Sequence, residues 1–141
     1  MILLDTNVVS EPLRLTGDVA VLNWIDAQII ETLYLSTISL AELRFGIAAL
    51  APGKRRDTLH TSLEQRILPL FVGRILPFDA AASEAYAVLR ARARAQGRAI
   101  APSDGYIAAT AASHGLIVAT RVTGPFEAAG LTVMNHWNTQ H

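Results

Sequence analysis

The sequence predicts an α/β fold: a central, mostly parallel sheet with helices flanking both faces. Two observations predict it. Short apolar or β-branched runs alternate along the chain with longer stretches of helical periodicity, the pattern that parallel sheets leave in sequence. The chain has 141 residues, 51% of them hydrophobic, and no cysteine. That suits a single domain over 1–141, large enough to bury its own core, too short for two, and held by packing rather than by disulfides or thiolate zinc.

The first strand is read at Ile2–Leu4, followed by a short helix near Asn7 and a second over 18–27. Leu33–Ser36 is the second strand. A helix over 39–50 follows and is stopped by Pro52-Gly53. Residues 54–71 form an amphipathic helix, with Leu59, Leu63, Ile67 and Leu70 stepping toward the core. The third strand is 75–78, Asp79 caps the helix that runs to Gln96, and Gly97 lies just past its end. Pro102-Ser103-Asp104 opens the last long helix, which His114-Gly115 closes. Strands at 116–120 and 131–134 complete the sheet, with a Gly-Pro turn at Gly124-Pro125 between them. The chain shows no repeat, linker or low-complexity tract.

Composition narrows the function classes. The leading MILL is too short for a signal peptide, and no apolar stretch approaches the roughly 18 residues that span a bilayer, so the expectation is a soluble cytoplasmic protein with no membrane contact. Twelve basic and twelve acidic residues balance, which excludes a general nucleic-acid coat. The balance is local, however: after Glu84 the only acids are Asp104 and Glu127, whereas Arg90, Arg92, Arg94, Arg98 and Arg121 are basic.

Three acids stand apart from surface charges and caps. Asp5 ends the first strand, Glu42 lies early in the helix after the second, and Asp104 opens the helix before the fourth. Ligands of open parallel sheets bind beyond the carboxyl ends of the strands, and both Asp5 and Glu42 fall on that edge. Asp104 joins them if its helix starts there. Singly, each has an ordinary reading as a turn former, a dipole complement or a cap. Jointly they do not, because a carboxylate ending an apolar buried strand is costly without a partner. A hard divalent cation, magnesium or manganese, relieves such repulsion. Gly46 and Ala49 beyond Glu42, and Ala108, Ala111 and Ala112 beyond Asp104, are small enough to let the two helices approach.

The segments MILLDTNVVSEPLR, TISLAELRFG, LPFDAAASEAYA, SDGYIAATA and IVATR together resemble the PIN-domain ribonuclease toxins of the VapC type, in the FitB-like branch, over almost the whole chain. The resemblance implies a PIN-like three-layer domain and a magnesium- or manganese-dependent endoribonuclease, the toxin of a type II toxin–antitoxin system. It implies a cognate antitoxin whose tail covers the acidic site, an RNA substrate, homodimers paired into larger assemblies, and DNA bound only indirectly through the antitoxin. The family's acids carry over to Asp5, Glu42 and Asp104, and its supporting polar residues to Thr6, Asn7, Thr120 and Arg121. One position departs from the pattern. After Ala-Thr-Arg the family places Asp or Asn, and this chain has Val122.

The reaction so implied is hydrolysis of an RNA phosphodiester, with Asp5 and Asp104 holding the cation directly, Glu42 binding it through water or orienting the attacking water as general base, and Arg121 on a flanking phosphate. Val122 has no lone pair, so attenuated activity is expected with the fold intact. The competing reading is a catalytically impaired PIN-fold partner, an antitoxin-binding component of a DNA-bound repressor complex. A magnesium-dependent phosphatase with Asp5 as nucleophile expects a second Asp at position 7, where this chain has Asn.

Arg90, Arg94 and Arg98 fall on one helical stripe with Tyr86, a pattern that suits an RNA backbone with Tyr86 as a stacking platform, or equally a solvated face. Lys54-Arg55-Arg56 reads as a surface turn. His60, His114, His136 and His141 show no zinc spacing. Trp24 is assigned to the core or a dimer contact and Trp137 to anchoring the C-terminal tail.

Overall fold

The computed structural model describes residues 1–135. Five strands, β1 (Ile2–Leu4), β2 (Leu33–Ser36), β3 (Ile75–Leu76), β4 (Ile117–Ala119) and β5 (Val133–Met134), form one sheet in the order β3-β2-β1-β4-β5. Every pairing is parallel; Ile2 lies opposite Leu33 on one side and Ile117 on the other. From β1 the chain adds strands outward in one direction and then returns to the other side with β4. That reversal leaves a crevice beyond the carboxyl ends of β1 and β4, the place where such sheets bind ligands.

Seven α-helices cover the sheet among the described residues: α1 (Thr6–Val9), α2 (Val19–Ala27), α3 (Thr37–Ala48), α4 (Lys54–Thr61), α5 (Ala80–Ala95), α6 (Pro102–Ser113) and α7 (Thr123–Ala128). The alternation of side chains along β1 divides the core in two. Leu3 packs with Leu89, Ile107 and Phe126 of α5, α6 and α7, while Leu4 packs with Val8, Val21, Leu43 and Leu63 beneath α1 to α4. The result is three layers with helices on both faces. No helix among the described residues is long and apolar enough to cross a membrane.

Local signals explain most helix ends. Asp18 accepts the Ala20 N–H at 2.9 Å and Asp79 the Ala82 N–H at 3.0 Å, each satisfying a first-turn donor. Ser36 does the same for Ser39 at 3.0 Å, which starts α3 two residues before the expected point. Gly97, with φ of 71°, takes the left-handed conformation that ends α5.

Three expectations are corrected. The helix read over 54–71 is α4 followed by a π-helical turn over Ser62–Ile67 and a 3₁₀ turn over Leu68–Phe71. Pro69 has no N–H and its ring collides with the carbonyl four residues back, so an unbroken α-helix is excluded there. The inward residues shift with the break: Leu68 and Phe71 are buried, while Leu70 is 54% exposed. The Gly-Pro turn lies within α7, where Pro125 sits in the first turn and needs no N–H. Phe126, fully buried, anchors that helix. The last strand spans Val133–Met134 rather than all of 131–134. The readings of His136, His141 and Trp137 lie outside the described residues.

One buried charge braces the segment after α1. Glu11 is 2% exposed; its carboxylate accepts the Asp18 N–H at 2.7 Å and meets Arg14 at 3.3 Å. Gly17 closes against it, since a Cβ there would come within 2.7 Å of the Glu11 carbonyl oxygen.

Candidate functional site

Asp5 follows β1 directly and caps α1, so the ordinary reading of this residue is part of its role. Its backbone N–H bonds to the Ala119 carbonyl of β4 at 2.9 Å, which extends the ladder to the crevice. One carboxylate oxygen accepts the Thr6 N–H at 2.8 Å; the other accepts the Thr120 hydroxyl at 2.8 Å and the Asn7 amide at 3.2 Å. Asn7 in turn accepts the Arg121 N–H at 3.0 Å, and the Thr120 hydroxyl oxygen accepts the Val122 N–H at 3.1 Å. Asn7 and Thr120 thus clamp the ends of β1 and β4 together around one carboxylate.

Thr6 links this clamp to Glu42. Its hydroxyl lies 2.7 Å from a Glu42 carboxylate oxygen and 3.0 Å from the Ser39 hydroxyl. A hydroxyl has one proton, and a carboxylate accepts only, so Thr6 donates to Glu42 and accepts from Ser39. Ser36 and Ser39, both fully buried, stand behind Thr6 with their hydroxyls 3.3 Å apart. Sequence reasoning missed these two serines. The signal was a Ser-x-x-Ser spacing at a strand-to-helix junction, which also reads as a plain cap.

Asp104 lies in the first turn of α6, whose cap position is Ala101. Burial raises its pKa, and the Glu42 charge raises it further. Burial also raises Asp5, from 3.8 to about 6; hydrogen bonds from Thr120 and Thr6 oppose the shift, and the Asp104 and Glu42 charges add to it. Asp5 therefore feels both other acids across the crevice, and Asp104 feels Glu42. Among the described residues no three His, Asp or Glu side chains are close enough to enclose a metal ion between them.

The remaining sequence-predicted positions fall as follows. Arg121 is exposed, and its carbonyl accepts the Asn135 amide at 3.1 Å. Val122 is 53% exposed at the cap position of α7, with its side chain outside the hydrogen-bonded clamp. Arg90, Arg94 and Arg98 line a groove beside α5 together with Tyr86. The Tyr86 ring packs against Gly105, the neighbour of Asp104, so closely that a Cβ there would lie 2.8 Å from the ring. No sequence pattern announced that contact.

The family model for the PIN domain matches residues 2–127. The chain belongs to the PIN domain family. VapC ribonuclease Y4jK of Sinorhizobium fredii is 59% identical over 97% of this chain and 98% of its own. Toxin FitB of Neisseria gonorrhoeae is 56% identical over 98% of this chain and 99% of its own. The solved structure of FitAB bound to an IR36 DNA fragment superposes on this chain with a TM-score of 0.96 at 53% identity, covering 100% of this chain and 99% of that one. The crevice between β1 and β4 is therefore a crevice of a PIN domain, and the clamp of Asn7 and Thr120 holds Asp5 at its edge.

Proposed function

We propose that this PIN domain is the toxin of a type II toxin–antitoxin system, a divalent-cation-dependent endoribonuclease that hydrolyses RNA phosphodiesters at Asp5, Glu42 and Asp104. The observation that carries the reading is the electrostatic coupling of three carboxylates at the sheet's reversal point, one of them buried and pushed to about pH 6. It is supported by full-length similarity to a protein named a VapC ribonuclease.

The donor set is all oxygen, which fits magnesium or manganese. Asp5 and Asp104 are the residues that would hold the cation. When bound, the cation supplies positive charge that acidifies water and offsets charge on the phosphate oxygens. Glu42, exposed and fixed by Thr6, accepts a proton from the attacking water. Arg121 steadies a flanking phosphate. Val122 contributes no acceptor, so a group that positions water is missing; that omission costs about two to four powers of ten in rate.

In this reading one domain over 1–141 carries the activity, forms a homodimer in the cytoplasm, and is silenced by a cognate antitoxin that links it to DNA. Val122 favours a second reading, a PIN-fold partner that has lost its nuclease and serves the repressor complex alone. Retention of all three acids favours the first.

Cleavage of a pool of tRNA and other structured RNA with magnesium or manganese separates the two. The first reading expects Val122→Asp to restore or raise metal-dependent cutting and Asp5→Asn in that background to abolish it. No cutting by either form, with antitoxin binding retained, would establish the second.

A further inference from the structure

We propose that the groove running from Tyr86 along Arg90, Arg94 and Arg98 is a track for the phosphate backbone of single-stranded RNA, leading to Asp104; this rests on the ribonuclease reading. The groove is a concavity of about 1070 Å³ between the outer face of α5 and the segment that leads to α6. Arg90 and Arg94 are one helical turn apart, a rise of about 6 Å, a pitch comparable to the phosphate step of an extended strand. Arg98 lies past the helix end but its N–H bonds back to the Ala93 carbonyl at 2.9 Å, which keeps it on the same groove. Beside the arginines the lining is mostly small, with Ala87, Ala91, Ala95, Gly97 and Ala99, and leaves room for a backbone to approach.

Charge marks the groove for a polyanion. The ion pairs among the described residues join Arg14 to Glu11 and Arg44 to Glu64, so none neutralises this row. The single acid on α5, Glu84, lines a different concavity together with Arg92. A single row of cations at one pitch holds one strand, and guanidinium forks suit phosphate oxygens.

Tyr86 has a different part from the stacking platform its sequence position suggests. Its ring is taken up by Tyr106 at 4.9 Å and by the Arg90 guanidinium at 5.6 Å, and Arg90 also donates to its phenol oxygen. It therefore aims Arg90 instead of stacking a base. The same ring leans on Gly105 beside Asp104, which joins the track to the acidic crevice. Contacts of this kind read backbone and not base, so the track contributes affinity without sequence preference.

The test is fluorescence anisotropy with a labelled oligouridylate of twelve nucleotides, using the full chain in EDTA so that nothing is cut. Arg94→Ala with Arg98→Ala is expected to weaken binding about tenfold or more at low salt. The slope of log affinity against log salt should fall by about 1.4, two phosphate contacts at roughly 0.7 each on a single strand. Arg92→Ala, on the same helix but off the groove, should leave both quantities unchanged, and a duplex of equal length should bind more weakly. An unchanged slope in the double variant, an equal loss from Arg92→Ala, or tighter duplex binding would overturn the proposal. Displacement by oligoglutamate of equal charge as efficiently as by unlabelled RNA would assign the groove to an acidic polypeptide and overturn it too. If the double variant binds and cuts RNA like the parent, the track falls and the ribonuclease reading stands. If the parent binds no RNA even at low salt, both fall.

Discussion

Replacing Asp5 by Asn tests the electrostatics of the crevice without altering its shape. Burial lifts the Asp5 pKa from 3.8 to about 6, a change of about two units, which corresponds to about 3 kcal/mol. The folded chain holds this proton more tightly than the unfolded one. The stability it contributes is therefore complete below about pH 3.8 and is lost as pH rises through about 6. Asn has no such loss. It does forfeit the acceptor of two hydrogen bonds: its oxygen keeps the Thr6 N–H, while its amide, a donor, faces the Thr120 hydroxyl and the Asn7 amide, at a cost of about 1 kcal/mol for each bond lost. The expected variant is about 1 kcal/mol more stable than the parent at pH 7.5 and about 2 kcal/mol less stable at pH 4. Urea denaturation in EDTA across that range measures the difference. Magnesium should then stabilise the parent more than the variant at pH 7.5. A difference between the two proteins that stays flat with pH, or a variant that is the weaker at pH 7.5, would refute the assignment of Asp5 as a strained buried carboxylate.

Two further substitutions probe what surrounds the acids. Gly105→Ala places a methyl group 2.8 Å from the Tyr86 ring, which Phe78 and Tyr106 hold from other sides; the cost should be about 1–3 kcal/mol, seen as a lower Tm, while Gly46→Ala, with open space around it, should not destabilise. Thr6→Val removes the donor to Glu42; in the Val122→Asp background kcat should fall by about tenfold to a hundredfold with KM little changed, and Thr6→Ser should recover most of it.

The sheet was legible because its strands are short apolar runs and two helices carry evident starts: Asp18 and Asp79 stand where those helices were expected to begin and accept first-turn N–H bonds. The acids of the crevice were legible for a related reason, since Asp5 follows an apolar strand with no local need for charge. What stayed hidden depends on contacts between distant segments. Ser39 looks like a helix residue until Thr6, far away in sequence, is placed 3.0 Å from it. Gly105 looks like a helix-weakening residue until Tyr86 is packed against it. The break after α4 was legible in principle from Pro69, but the amphipathic period across 54–71 masked it, and a π-helical turn lets that period slip by one residue before the proline. Leu70 and Leu68 exchanged places on that account.

The fold is indifferent to the side chain at position 122, even where the proposed chemistry is not. The backbone N–H at this position supports the Thr120 hydroxyl, which in turn donates to Asp5. Any residue other than proline supplies that N–H, and the side chain itself points to half-open solvent without a capping bond. Position 122 is therefore tied to the Asp5 clamp through its backbone and not through its side chain. Thr120, by contrast, is fully buried and uses its side chain to hold Asp5 directly. A change at 120 damages support for the carboxylate, whereas a change of side chain at 122 leaves that support whole. Stability measurements should consequently not distinguish Val122 from Asp beyond the few tenths of a kcal/mol usual for surface sites. Cleavage is the measurement in which the two residues differ.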